Sequence, residues 1–82
     1  MSKRLGFVGI IIEDRKKSAQ VVNRILMDYG EDIIARVGLP YRDRQCWVIT
    51  LTVDMTSDQL GALTGKLGAV DSVTVRSALA KE

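Results

Sequence analysis

The order of two apolar periodicities is the feature that most constrains the fold of this chain. Four short segments are β-branched runs or alternate apolar with polar residues, as strands do, and two longer segments repeat apolar residues every three or four positions, as helices do. The segments follow the order strand, helix, strand, strand, helix, strand. In a chain of 82 residues this order predicts a single sheet with both helices packed on it.

The first half of the chain contains three of these segments. The β-branched run at residues 5–12 alternates poorly, which predicts a central strand covered on both faces. The apolar residues of 16–29 share one helical face. Asp14 is the expected N-cap of that helix, and Gly30 is expected to end it in a left-handed conformation. Alternation at residues 33–39 predicts the second strand.

The second half of the chain contains a turn and the remaining three segments. The polar stretch at residues 40–45 opens with proline and predicts the turn. Alternation at residues 46–53 predicts the third strand. Thr56 and Gln59 have the spacing of a capping box, which predicts the start of the second helix. Alternation at residues 73–76 predicts a fourth strand, which runs out in residues 77–79.

These elements predict an α+β fold, the ferredoxin-like β-α-β-β-α-β sandwich. Right-handed crossovers put the first and third strands at the centre of a four-stranded antiparallel sheet, with both helices on one face. We expect residues 1–82 to form a single domain. A hydrophobic content of 46% with 27% charged residues is that of a globular chain, and it excludes a disordered chain.

Composition also excludes several kinds of site. The chain has no histidine, and its single cysteine, Cys46, can form neither an internal disulfide nor a Cys-rich metal site, so no metal or cofactor is expected. A net charge of only +2 argues against nucleic-acid binding. No apolar run reaches the roughly 20 residues that cross a bilayer. The expected location is the cytoplasm, with no membrane contact.

The sheet face without helices is predicted to be an interaction surface. Alternation assigns to it Ile34 and Arg36, Cys46, Val48, Thr50 and Thr52, and Thr74, Arg76 and Ala78. Such a face is too polar for a dry core and too apolar for a fully wetted surface, and exposed patches of this kind mark association sites. We expect identical chains to associate through this face or through the sheet edges. Arg36 and Arg76 on this face could bind an anion or pair across a subunit boundary. A half-exposed sheet, with both arginines solvated, is the alternative.

Basic residues at the loops form candidate ligand sites. Asp14 and Arg15 precede a helix N-terminus, where free amides and basic side chains could hold an anionic or amino-acid-like effector. Capping with solvated charge is the alternative there. Tyr41, Arg42 and Arg44 on the predicted hairpin could bind phosphate or a partner, and a plain exposed turn is the alternative.

Gly61 and Gly65 lie four positions apart inside the second predicted helix. Each costs a helix roughly 1 kcal/mol relative to alanine, which suggests close approach of a partner or ligand, or tight packing inside the chain. Both lie beside or outside the apolar stripe of the helix. We therefore expect an alanine at either position to leave the fold intact and to change assembly or effector binding.

Two segments resemble a known family. Residues 38–42 (GLPYR) and 60–68 (LGALTGKLG) are similar to small ACT-like proteins described as regulators of the iron-only hydrogenase system. The resemblance implies a stand-alone domain, similar to ACT domains and to the C-terminal domain of nickel-responsive repressors, that oligomerises and binds small effectors at subunit interfaces. The chain departs from both relatives. It lacks the Asp-x-Pro-Gly turn of amino-acid-binding ACT domains, the nickel ligands and any DNA-binding segment.

Together these features predict a non-enzymatic, homo-oligomeric regulatory module. Its partners would be further copies of itself, a small-molecule effector and a protein partner. The alternative is a small hydrolase of the acylphosphatase type, which uses the same fold with an arginine, glycines and a water-orienting asparagine around an anion-binding loop. Arg15 has the right place for that enzyme, but the nearest asparagine, Asn23, falls inside the first helix.

Overall fold

The order of elements in the computed structural model, which describes residues 2–81, is the predicted one. The strands are β1 (Arg4–Ile12), β2 (Ile33–Tyr41), β3 (Cys46–Met55) and β4 (Val73–Leu79), and the helices are α1 (Arg15–Met27) and α2 (Ser57–Gly68). A 3-10 turn at Arg42–Arg44 joins β2 to β3. The sheet order is β2-β3-β1-β4 with antiparallel neighbours. The predicted ferredoxin-like fold is therefore confirmed.

The core lies between the sheet and the two helices. Its fully buried side chains are Val8, Ile10 and Ile12 of β1, Ile49, Leu51, Val53 and Met55 of β3, Val22 and Leu26 of α1, and Leu63 and Leu67 of α2. Every second residue of the central strands thus faces the helices, as the predicted alternation of β3 requires. Within residues 2–81, neither helix has the length and apolar character needed to span a bilayer.

β1 is covered on one face only within this chain. Its three core residues alternate with Phe7, Gly9 and Ile11, and the side chains of Leu5, Phe7 and Ile11 are exposed. The prediction of a strand covered on both faces is wrong for the single chain. Poor alternation in the sequence reflects apolar residues on the uncovered face and not a second covering layer.

β2 contains a β-bulge near its start. Ile33 pairs with Val53 of β3, whereas Ala35 pairs with Thr52, so Ile34 is an extra residue without a partner in the ladder. Because side chains alternate along a strand, one inserted residue exchanges the two faces for everything that follows. From Ala35 onward, the odd-numbered residues of β2 lie on the face that carries no helix.

The bulge changes the position of Arg36. Arg36 pairs with the core residue Leu51, so it lies on the helix side of the sheet. Its guanidinium donates a hydrogen bond to Oδ1 of Asn23 on α1. The prediction that Arg36 projects from the uncovered face is therefore wrong. Val37 and Leu39 occupy that face instead.

α1 begins as the sequence predicts and ends differently. The carboxylate of Asp14 accepts a hydrogen bond from the Lys17 backbone N–H at 3.2 Å, which is the predicted N-cap. At the other end, Asp28 is the C-cap, and its own conformation is right-handed. No glycine among residues 2–81 has a positive φ, so the prediction of a left-handed Gly30 is wrong. Gly30 instead donates to Met27 at 3.2 Å in a further right-handed turn, which removes the need for a left-handed residue.

Ser18, a buried polar residue of α1, contacts the loop between α2 and β4. Its hydroxyl donates to the Asp71 carbonyl and lies 3.1 Å from the Ser72 hydroxyl. Ser72 has a left-handed φ of 60° and accepts two hydrogen bonds, at its carbonyl from Glu13 N–H (2.9 Å) and at its hydroxyl from Asp14 N–H (3.1 Å). The α2–β4 loop is thereby attached to the β1–α1 loop.

Candidate functional site

The face of the sheet without helices, called the open face below, contains side chains from all four strands. The cross-strand register assigns to it Leu5, Phe7, Gly9 and Ile11 of β1, Ala35, Val37, Leu39 and Tyr41 of β2, Val48, Thr50 and Thr52 of β3, and Thr74, Arg76 and Ala78 of β4, with Cys46 and Asp54 at its ends. It is a continuous surface because directly opposed residues on neighbouring strands point to the same side.

The open face is more apolar than the sequence predicted. Phe7, Val37 and Leu39 are 61%, 65% and 52% exposed, respectively. Because of the bulge, Val37 and Leu39 lie on the open face, where the sequence had predicted Arg36. Arg76 does lie on this face, as predicted, and its guanidinium donates to the Val75 carbonyl of its own strand at 2.8 Å. The open face thus carries exposed apolar side chains on β1 and β2, with Thr50 and Thr52 of β3 between Phe7 and Val37, and exposed apolar side chains are typical of association surfaces.

A cavity of about 400 Å³ lies where β2 turns into β3. This hairpin pocket is lined by Arg15, Pro40, Tyr41, Arg42, Gln45 and Cys46. It brings together three of the residues predicted to bind a ligand, Arg15, Tyr41 and Arg42, although 26 positions separate Arg15 from Tyr41 in the sequence. Cys46 lines the same pocket as the two arginines, which its position in the sequence did not predict.

Trp47 orders one wall of the hairpin pocket. The Arg15 guanidinium carbon lies 4.9 Å from the centroid of the indole ring, a cation–π distance. The indole ring also lies close to Gly38, where an added Cβ would be 3.3 Å from Trp47 Nε1. The absence of a side chain at Gly38 therefore makes room for the indole ring that supports Arg15.

The hairpin pocket is cationic. None of its lining residues is acidic, and Arg15 and Arg42 form no ion pair with any residue in 2–81. The nearby Asp14 carboxylate is engaged in capping α1. Gln45, with a left-handed φ of 53°, closes the turn by donating its N–H to the Arg42 carbonyl at 3.1 Å. Across the described range, no group of His, Cys, Asp and Glu side chains is arranged to hold a metal ion.

The other candidate residues lie elsewhere. Asp14 is the helix cap, Arg36 contacts α1, and Arg76 is on the open face. Gly61 and Gly65 are exposed, and an added Cβ at either would have no atom of its surroundings within 4 Å. The two glycines thus lie outside the buried stripe, as predicted, and tight packing within residues 2–81 does not account for them.

A groove between α1 and α2 was not predicted from the sequence. Its volume is about 550 Å³, and its lining residues are Lys17, Ser18, Val21, Ile25, Lys66, Ala69, Val70 and Asp71. Lys17 forms a 2.6 Å ion pair with Asp71, which lowers the pKa of that carboxyl through a hydrogen bond and the lysine charge. The Lys66 ammonium lies 5.2 Å from the ring centroid of Tyr29. The charges at this groove thus have partners, unlike those of the hairpin pocket.

Comparison with known proteins points to a regulatory family. The sequence profile of the TM1266-like family, described as "Iron-only hydrogenase system regulator, putative", matches residues 4–77. The structure of the uncharacterised protein TM1266 from Thermotoga maritima is similar with a TM-score of 0.92 and 39% identity, over 96% of this chain and 99% of that one. The ACT domain of GTP pyrophosphokinase from Chlorobium tepidum has a TM-score of 0.79 and 20% identity, over 94% of this chain and all (100%) of that one.

A more distant structural likeness concerns the fold alone. A formyltetrahydrofolate deformylase from Pseudomonas putida KT2440 is similar with a TM-score of 0.64 and 12% identity, over 94% of this chain but 29% of that one. No curated protein matches the sequence. The ACT-like fold and the regulator family are therefore what the comparisons establish.

Proposed function

Because this chain belongs to the family of TM1266-like iron-only hydrogenase system regulators, we propose that it is a non-enzymatic regulatory module that acts as a homo-oligomer. In this proposal two copies associate through their open faces, and a small effector changes that assembly or its contact with a partner protein. The exposed apolar open face is the observation that carries the proposal. The module would act in the cytoplasm, where the single Cys46 stays reduced.

A second copy of the chain is the occupant that best fits the open face. A two-fold interface requires a surface that complements itself, and a sheet face with exposed apolar side chains can meet this requirement because two such sheets stack face to face about 10 Å apart. The apolar side chains of Phe7, Val37 and Leu39 would become buried. Arg76 lies on β4, an edge strand, where its charge can remain at the rim of the interface.

Because the chain is short, association would contribute a large share of its folding stability. A chain of 82 residues buries a limited fraction of its surface, so its own core is modest. Each square ångström of apolar surface removed from water contributes roughly 25 cal/mol. Pairing the open faces would therefore add substantially to the stability of each copy, before the entropic cost of association.

Sedimentation or light scattering at micromolar concentration tests this assembly. The expected mass of the wild-type protein is a multiple of the 9.1 kDa chain. Phe7→Lys should yield monomers, because the charge would have to be buried in the centre of the interface. Met27→Lys is the matched control, since Met27 is 79% exposed at the end of α1, away from the sheet. A wild-type protein that runs as a 9.1 kDa monomer would contradict the proposal.

The geometry of the hairpin pocket argues against the acylphosphatase-type hydrolase. Asn23 accepts a hydrogen bond from Arg36 and does not line the hairpin pocket, so no asparagine is available there to orient a water molecule. The anion-binding loop of that enzyme type also needs glycines beside its arginine, whereas the residues before Arg15 are Glu13 and Asp14. Acyl-phosphate hydrolysis that disappears in Arg15→Ala would restore this alternative.

A further inference from the structure

We propose that the hairpin pocket binds a small multiply charged anion, one that presents phosphate or clustered carboxylate oxygens to Arg15 and Arg42. The identification of this anion as the effector rests on the proposed regulatory function, whereas its binding to the pocket does not. The pocket volume of about 400 Å³ is within the usual size range of small-molecule sites.

Unpaired charge is the first support for an anion site. Two guanidinium groups line one concave surface that has no acidic lining residue, and neither forms an ion pair within residues 2–81. Guanidinium groups present planar pairs of N–H donors that match phosphate and carboxylate oxygens. An anion with more than one negative charge would be attracted to both arginines together, and it would relieve their mutual repulsion.

Preorganisation is the second support. The indole ring of Trp47 holds the guanidinium of Arg15 near the pocket through a contact within this chain. A side chain that is already ordered loses less conformational entropy when it binds. Tyr41 and Gln45 also line the pocket, and a phenol hydroxyl and a side-chain amide are groups that can donate further hydrogen bonds to oxygen atoms of a ligand.

The N-terminus of α1 is not the proposed anion site. Its Lys17 N–H donates to the Asp14 side chain, and its Ser18 N–H donates to the Asp14 carbonyl at 3.0 Å. The proposed ligand is held by side chains at the hairpin. The helix groove differs as well, because Lys17 there is already paired with Asp71.

Tyr41 connects the hairpin pocket to the open face. It pairs with Cys46 in the sheet register, and both residues line the pocket and lie at one end of the open face. Tyr41 is 42% exposed in the single chain. A ligand that repositions its ring therefore alters the end of the surface through which two copies are proposed to associate.

The chain carries two built-in reporters for the test, since Trp47 and Cys46 are each the single residue of their type. The experiment titrates the wild-type protein with pyrophosphate and, separately, with citrate at constant ionic strength. It follows Trp47 fluorescence and the rate of Cys46 alkylation by iodoacetamide. We expect a saturable fluorescence change and slower alkylation, because the ligand would contact Arg15 and cover the thiol. The pyrophosphate and citrate arms distinguish phosphate from carboxylate recognition.

Arg42→Gln is the test variant, and Arg24→Gln is the matched control. Arg24 lies on α1, outside the hairpin pocket, so its replacement removes the same charge from a different place. Affinity should fall roughly tenfold or more in Arg42→Gln, since a charge-assisted hydrogen bond pair is lost. Affinity in Arg24→Gln should match the wild type.

Three results would overturn the anion site: no saturable response to either anion at millimolar concentration, equal loss of affinity in both variants, or fluorescence changes without protection of Cys46. Light scattering on the same samples separates the two proposals. An oligomer that binds neither anion contradicts the anion site alone. A monomer that binds pyrophosphate or citrate in the expected way supports the site and contradicts the proposed assembly.

Discussion

A methyl group on Gly6 would lie 2.5 Å from the carbonyl oxygen of Ala78 on the neighbouring strand. The backbone of Leu79 is also close, with its Cα 3.2 Å from the same position. β1 and β4 approach each other so closely here that only glycine fits without movement of the backbone. The contact joins the central strand to an edge strand of the sheet.

Gly6→Ala should therefore destabilise the fold by about 1–3 kcal/mol, the usual cost of overpacking. The clash is with backbone atoms, which cannot rotate away as a side chain end can. Gly9→Ala is the control on the same strand, because the added Cβ would meet only the Arg76 carbonyl oxygen, at 3.9 Å. Urea denaturation followed by circular dichroism measures both variants. Equal unfolding free energies for the two variants would show that β4 can shift to make room.

Gly65→Ala should have the opposite effect on stability. Since nothing lies within 4 Å of the added Cβ, the variant gains helix propensity without a steric cost. The expected gain is about 0.4–1 kcal/mol in the free energy of unfolding of the single chain. Chemical denaturation of Gly65→Ala beside the wild type measures it, and a loss of stability would reveal a neighbour that the single chain lacks.

The expectation that a partner or ligand approaches Gly61 and Gly65 stays a prediction. If it is right, the double variant Gly61→Ala, Gly65→Ala keeps its circular dichroism spectrum and changes oligomer mass or effector affinity. Light scattering on the double variant checks this. A double variant with native mass and native ligand response, and only a shifted melting temperature, would leave propensity as the sole effect of the two glycines.

Ser18→Ala should cost about 1–3 kcal/mol of stability, the range for a buried group that loses its hydrogen-bond partner. The Asp71 carbonyl and the Ser72 hydroxyl both lose their contact with the Ser18 hydroxyl. Thermal denaturation measures the loss. Ser77→Ala, at an exposed position of β4, controls for the removal of a serine hydroxyl as such. A similar melting temperature in both variants would show that water replaces the Ser18 hydroxyl.

The Lys17–Asp71 ion pair predicts a pH-dependent contribution to stability. Lys17 lowers the pKa of Asp71 by a hydrogen bond and by its charge, so the folded-state pKa lies below the ordinary 3.8. The stabilisation is then fully present above the unfolded pKa and is lost as pH falls through the lower folded value. Asp71→Asn should melt below the wild type near neutral pH, and the two should converge in strong acid.

Added salt and high pH test whether the stability difference comes from the charges of this ion pair. Its side chains are 62% and 72% exposed, so added salt should reduce the difference between wild type and Asp71→Asn. Asp71 raises the pKa of Lys17 above 10.5, so the same contribution is lost again as pH rises through that raised value. A difference in melting temperature that persists in strong acid would assign the effect to something other than charge.

Local signals along the chain were sufficient to predict the fold. Thr56 accepts a hydrogen bond from Gln59 N–H at 3.1 Å, and the Gln59 side chain accepts from Thr56 N–H at 2.8 Å, which is the predicted capping box. Asp14 caps α1 in the same local way. These interactions join residues three positions apart, so residue type and spacing alone identify them.

The register of β2 could not be predicted in this way. Its bulge at Ile34 is a property of the pairing with β3, and no residue type near that position signals it. One unpaired residue moved Arg36 to the helix side and Val37 to the open face. The hairpin pocket could not be predicted as one site for a related reason. Arg15 and Arg42 line the same pocket only because the fold places the start of α1 beside the β2–β3 turn. The sequence identified Arg15 and Arg42 as candidate ligand residues, but it could not show that they line one pocket.

The order β2-β3-β1-β4 has a consequence for how the chain is made. The strand that emerges first from the ribosome, β1, receives one of its two neighbours from the strand that emerges last, β4. A nascent chain without Val73–Leu79 leaves one edge of β1 unpaired, with a row of free backbone groups that another chain can join. The sheet therefore becomes complete only after β4 has been synthesised and can pair with β1.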